Sequence, residues 1–253
     1  METFNPLLVS GGLLAGLVVV ALLGEAVRRR LPRNHLSPES MDIVKLGMGL
    51  VATMTALLLG LLVSSAKGSY DAERTEVLHL AAKTTLLDRT LRLYGPEAAD
   101  ARARIRDMMA EFVKRMWPER RGARLDPALE EEGNACYLAL EQLEPRSDLQ
   151  RILKTKATSV AADLGEIRTL LLVRSGSSIS TPLLIALACW CMIIFFSFSL
   201  VAPPNTTTRL ALIASAFSVA DAVFLLLELD RPFEGLVRIP SAPMVNAVSH
   251  LEK

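Results

Sequence analysis

Four long apolar runs punctuate the chain, and charges at helical intervals fill the stretch between the second and the third. Pro6 to Leu23 is almost uninterrupted hydrocarbon, and a helix needs about 20 such residues to cross a bilayer core. Ile43 to Val63 is apolar apart from Lys45, which lies near the basic end and reaches toward the headgroups along its own methylene stem. Leu183 to Val201 forms the third run, and Leu210 to Leu229, interrupted by Asp221 and Glu228, forms the fourth. The pattern predicts an all-α integral membrane protein with four transmembrane helices in two hairpins, at 6–24, 43–64, 182–201 and 209–229. An extramembrane helical bundle is expected between spans 2 and 3.

Helix starts and stops refine this plan. Ser37 followed by Pro38 makes an N-cap and a first helical residue, with Glu39 at the positive end of the helix dipole. Beyond Ser64 there is no proline and only Gly68 interrupts, so the second span is predicted to run on as one helix to Tyr94, where Gly95 and Pro96 stop it. From Glu97 to Trp117, the residues Ile105, Met108, Met109, Phe112, Val113 and Met116 recur three and four apart, which marks one buried helical face ending at Pro118. Asp126 and Pro127 open the next helix, with Tyr137, Leu138, Leu140 and Leu143 among its apolar residues, and Pro145 closes it. Ser147 begins a last extramembrane helix toward Arg174. None of these amphipathic helices stands alone, and a bundle buries their stripes together. Gly176 and the following serines make a break, Thr181 with Pro182 repeats the cap, and Pro203, Pro204 and Asn205 make a tight turn. The expected organisation is a first hairpin over 1–64, a bundle over 65–177, a second hairpin over 178–230 and a tail over 231–253 containing one or two turns of amphipathic helix.

Composition agrees, with 51% hydrophobic residues and a formal charge of +1 that gives no field to attract nucleic acid. Cys136, Cys189 and Cys191 offer neither a disulfide framework nor zinc-ligand spacing and read as packing residues. No metal site and no cofactor is expected. His35, His79 and His250 are scattered, and no phosphate loop or nucleophile elbow is present, so the chain does not read as an enzyme. The basic runs at Arg102 to Arg106 and Arg120 to Arg124 lie among acids and read as solvated faces. Arg28, Arg29, Arg30 and Arg33 follow the first apolar run rather than precede it, the order of a retained anchor. Positive charge in a short loop favours the cytoplasm. Loop 25–42 is therefore predicted cytoplasmic in a bacterial inner membrane, with the helical domain and both termini periplasmic.

Two features of the spans bear on chemistry. Lys45, Gly49, Thr53, Ala56, Gly60 and Ser64 share one face of the second span. A stripe of small and polar residues serves either as a helix-packing seam or as a pore lining, where small side chains give room and hydroxyls replace lost hydration. In the fourth span Asp221 shares a face with Ser218, Leu225 and Glu228. A carboxylate at a span centre costs about 2.5 to 3.5 kcal/mol on insertion scales, so Asp221 must face protein or water and is a candidate for an ion path. Glu228 lies near the membrane exit, where an ion pair with Arg231 or an interfacial position accounts for it.

The run from Leu227 to Gly235 reads LELDRPFEG and is followed by Val237, Arg238, Ile239 and a turn at Ser241 to Pro243. With the basic loop RRRLPR, an insert of this length and a second hairpin, it resembles the bacterial bestrophin-like domain family over essentially the whole chain. The signature positions are Glu228, Asp230, Pro232, Phe233 and Gly235. The resemblance implies a homo-oligomer in the lipid bilayer, a pentamer by analogy with bestrophins, which conducts a permeant anion through a pore narrowed by the second span. It also implies a large domain and termini in the cytosol, opposite to the charge-based orientation. Calcium binding after the fourth span is not expected, because only Glu228, Asp230 and Glu234 lie near the signature, whereas calcium takes six to eight oxygens. Without a ligand, Pro232 ends the span, Phe233 anchors at the membrane interface and Gly235 permits a turn. The leading expectation is an oligomer that forms or gates an ion pathway. The alternative is a non-conducting interaction or sensing module acting through the extramembrane bundle.

Overall fold

The computed structural model describes residues 5–32, 37–117, 128–174, 179–203 and 205–251. Arg33, His35, Pro118, Arg120 to Arg124, Asp126, Pro127, Gly176 and Pro204 lie outside the described residues. Within them all regular structure is helical: α1 (Pro6–Arg30), α2 (Pro38–Tyr94), a 3-10 turn (Pro96–Ala98), α3 (Ala99–Met116), α4 (Ala128–Glu141), α5 (Asp148–Arg174), α6 (Thr181–Val201), α7 (Thr206–Leu229) and α8 (Ala242–His250). Four of these, α1, α2, α6 and α7, are long and apolar enough to cross a membrane.

Local chemistry sets the helix ends. Asn5 caps α1 by accepting from the Leu7 N–H at 3.1 Å, and Asn205 caps α7 by accepting from the Thr208 N–H at 2.7 Å. The Ser37 hydroxyl accepts from the Ser40 N–H at 3.3 Å, so the expected start of α2 holds. α6 differs by one position: Ser180 is the cap and Thr181 already helical, so Pro182 falls inside the first turn, where its missing N–H costs nothing. α2 is one helix of 57 residues, about 85 Å at a rise of 1.5 Å per residue. It ends where Gly95 adopts a φ of +122°, a left-handed value open to a residue without a Cβ.

Two compact units result, one of residues 1–69 with 177–230 and the other of residues 70–176 with 231–253. In the first, α1 packs on α6 and α7 around Leu17, Leu187, Cys191, Phe195, Ala216 and Val223. At Gly24 α1 and α6 approach closely: a Cβ there would lie 2.7 Å from the Phe196 carbonyl oxygen and 2.8 Å from the Ser199 Cβ. Cys189, read as a packing residue, is exposed on the unit's surface, while Cys191 is buried.

In the second unit, α3 buries Ala101, Ile105, Met109, Phe112 and Met116 against Leu80, Leu87 and Leu91 of α2 and Val160, Leu164 and Leu171 of α5. Of the apolar residues at the end of α4, Leu140 and Leu143 are buried together with Cys136, whereas Tyr137 and Leu138 are exposed. The tail also joins this core, through Ile239, Met244 and Ala247.

Candidate ion pathway and signature loop

The membrane part of α2 presents three faces. One, with Thr55, Leu62 and Ala66, is buried in the first unit. The second is the small and polar stripe, and Lys45, Gly49, Thr53, Ala56, Gly60 and Ser64 are all exposed. The third carries Ile43, Leu46, Leu50, Leu57 and Leu61, each more than 60% exposed. A Cβ added at Gly49 or Gly60 would meet nothing within 4 Å, so neither glycine makes a close approach inside the chain. The Thr53 hydroxyl donates to the Gly49 carbonyl at 2.8 Å and Lys45 pairs with Asp42 at 2.8 Å, so both polar groups are satisfied within the helix. Asp221 stands on a different helix, exposed beside Ser218 and Leu225 on α7. The single chain therefore collects the stripe on one surface and leaves Asp221 on another.

The hairpin loops are tied by contacts that spacing alone did not reveal. Arg28 donates to the carbonyls of Val201, at 2.7 Å, and Ala202, supplying partners to the end of α6 where backbone donors run out. Glu25 accepts from Arg29 at 2.6 Å and from Arg209 at 2.6 and 3.0 Å, a bidentate grip between α1 and α7. The spacing of Glu25 and Arg29, four apart, was a signal for half of this cluster; Arg209 required the fold.

Around the signature, Glu228 is buried at 4% exposure, and α7 ends at Leu229. The following loop closes on itself through the Ile239 N–H, which donates to the Pro232 carbonyl at 2.6 Å. Gly235 has a φ of +93°, which explains its residue type. Phe233, expected to anchor at the membrane interface, packs within its own unit. Its ring meets Trp117 edge to face, with centroids 5.4 Å apart and planes at 86°, and the Trp117 Nε1–H donates to the Ile239 carbonyl at 2.8 Å. Among the described residues no three His, Cys, Asp or Glu side chains are grouped to hold an ion. Arg102, expected on a solvated face, instead reaches buried Asp88 at 2.8 Å.

The model of the Bestrophin-like domain matches residues 15–244, nine-tenths of the chain and every element that builds the stripe and the signature loop. The chain belongs to the bestrophin-like family. Its fold is also that of solved family structures. A mutant of the bacterial bestrophin homologue from Klebsiella pneumoniae superposes with a TM-score of 0.72 at 16% identity, covering 98% of this chain and 96% of that one. A second mutant of that homologue gives 0.66 at 14% identity, covering 96% and 97%. A mutant structure described as a membrane protein gives 0.67 at 16% identity, covering 96% of each chain. No curated protein matches this bestrophin-like chain. Identities this low carry the fold, and the bestrophin-like relationship is the frame in which the exposed face of α2 is to be interpreted.

Proposed function

We propose that this protein forms an ion pathway through a ring of identical copies, with the membrane part of α2 lining it and anions as the permeating species. The observation that carries this reading is the nakedness of α2. Only 6% of its most apolar window is buried within the chain, against 17% to 22% for the other three spans. A span that its own chain leaves uncovered is completed by neighbouring copies or by a lumen. Its stripe of Lys45, Gly49, Thr53, Ala56, Gly60 and Ser64 is what a lumen requires: little bulk, hydroxyl oxygens and one cation. The large apolar face beside it suits contact with the next copy or with lipid. Asp221, exposed on α7, faces a neighbouring copy or water in this assembly, because an acyl-chain environment would cost about 2.5 to 3.5 kcal/mol. By analogy with bestrophins the ring has five members. The site of action is a bacterial cell membrane with loop 25–42 on the cytoplasmic side, following its arginines.

Purified protein reconstituted into planar bilayers tests this. Wild-type channels should pass chloride, and Thr53→Leu and Gly60→Leu, which place isobutyl groups on the stripe, should each lower unitary conductance severalfold while leaving the oligomer intact. Correctly sized oligomers that pass no current would defeat the proposal and leave a non-conducting module.

A further inference from the structure

The membrane unit holds a groove that the pathway reading does not use. It lies between α1, α6 and α7, with a volume of about 80 Å³. Buried Leu17, Phe195 and Ala216 form its floor, and Leu22 and Ile213, each more than half exposed, stand in its rim. Along α1 the lining runs from Leu17 to Glu25, about 12 Å at 1.5 Å per residue. One end is apolar and the other is polar, where Glu25, Thr208 and Arg209 belong to the lining.

The polar end lies at headgroup depth. α1 has 25 residues, about 37 Å of helix against a hydrocarbon core of about 30 Å, so its last turn, with Arg28, Arg29 and Arg30, emerges from the core. Four arginines thus stand at this end of the unit with one carboxylate, Glu25. Arg28 rests on backbone carbonyls, which carry no formal charge to cancel its own. Arg209 binds Glu25 through Nε and Nη2 and remains 52% exposed; Arg29 binds it through Nη2 and remains 63% exposed. Both keep further N–H donors for another acceptor. Arg30 is exposed. Of the acids that open α2, Asp42 pairs with Lys45 and Glu39 bonds the start of its own helix. The positive end of the α7 dipole, at Thr206, adds to the field.

We propose that an anionic phospholipid occupies this groove, its phosphate held by Arg209 and the arginines that end α1, and the first carbons of one acyl chain inside. Volume sets how much enters: two or three water-sized groups at roughly 30 Å³ each, with the rest of the chain along the exposed rim. Charge sets the headgroup. Three positive charges in excess attract a net negative headgroup, whereas a zwitterionic one brings an ammonium into the same field. The apolar floor argues against a bare phosphate ion, which would leave that surface unfilled.

The test uses the full-length protein in a mild non-ionic detergent, with bound lipid counted per chain by native mass spectrometry. The probes are dioctanoyl phosphatidylglycerol, dioctanoyl phosphatidylcholine and glycerol 3-phosphate. The proposal requires phosphatidylglycerol to saturate at one per chain, phosphatidylcholine to bind at least fivefold more weakly and glycerol 3-phosphate not to bind. Arg209→Gln should erase the preference between the two lipids. Ala21→Leu, at a residue of the lining, puts an isobutyl group in the groove, keeps every arginine and should weaken both lipids at least fivefold. Because leucine is a good helix former, this variant remains informative if Arg209→Gln does not fold. Equal binding of the two lipids, glycerol 3-phosphate binding as tightly as phosphatidylglycerol, or phosphatidylglycerol binding unchanged in Ala21→Leu would overturn the site. So would an Ala21→Leu assembly smaller than wild type, because a neighbouring copy would then be the occupant of the groove. None of these readouts depends on ion conduction.

Discussion

Asp88 meets two cations at the edge of the bundle's core. Its side chain is 6% exposed and accepts from Arg92 at 2.9 Å and from Arg102 at 2.8 Å. Removing it strands two cations beside a closed core, and breaking a buried pair costs about 3 to 5 kcal/mol, discounted here because Arg92 is substantially exposed. Asp88→Ala should therefore destabilise the bundle by about 2 to 3 kcal/mol, whereas Asp88→Asn, which keeps one acceptor oxygen and turns the other into a donor, should cost somewhat less. Thermal unfolding of the two variants in detergent measures the difference, and equal losses would show that charge rather than hydrogen bonding decides. The pairing with Arg92 was legible in the sequence as a four-residue spacing on a helix. The pairing with Arg102 was not, because it depends on how α3 folds back along α2. Glu25 repeats the lesson, with Arg29 on its own helix and Arg209 brought from α7.

At the scale of elements, what was legible is what one helix decides for itself. The course of α2 from Ser37 to Gly95 follows from a cap, a run without proline and a stop, and all three are local. The place of the tail is not local. Phe233 and Ile239 meet Trp117 across more than a hundred residues of chain, and a short, proline-broken segment gives no periodicity from which to read that contact. Trp117→Phe deletes the indole donor and should cost about 0.5 to 1.5 kcal/mol, the value of one hydrogen bond. Phe233→Ala, which removes the ring on which the loop folds, should cost more, about 2 to 4 kcal/mol, since the ring is half-buried. Limited proteolysis reads the consequence directly: both variants should be cut between Asp230 and Ala242 faster than wild type, Phe233→Ala the faster. Gly24 poses the opposite problem, a gap already closed. Gly24→Leu drives a side chain into the α6 backbone and should destabilise the membrane helices by about 1 to 3 kcal/mol, or more if α1 and α6 cannot part.

For the whole molecule the outstanding question is which way the chain threads the membrane, because two physical arguments point in opposite directions. The arginines in the last turn of α1 and at Arg33 favour a cytoplasmic loop, whereas the resemblance to bestrophins implies a cytosolic bundle. The folded chain shows where the first argument is exposed. Arg28 is engaged by the carbonyls that end α6, and Arg29 shares Glu25 with Arg209, so part of the loop's charge is compensated once the hairpins pack. The orienting decision, however, is made as the first span inserts, before α6 and α7 exist to supply those partners. At that moment the arginines have only Glu25 to compensate them, which is the argument for a loop held on the cytoplasmic side. Ser249 is exposed on α8, and Ser249→Cys in a background with Cys136, Cys189 and Cys191 replaced by alanine or serine gives a single thiol on the bundle's unit. With the loop inside, a membrane-impermeant maleimide should label that thiol in cells whose inner membrane is intact. Labelling that appears only after the inner membrane is permeabilised would reverse the orientation, and would mean that later packing, not the first arginines, decides how the four spans are laid down.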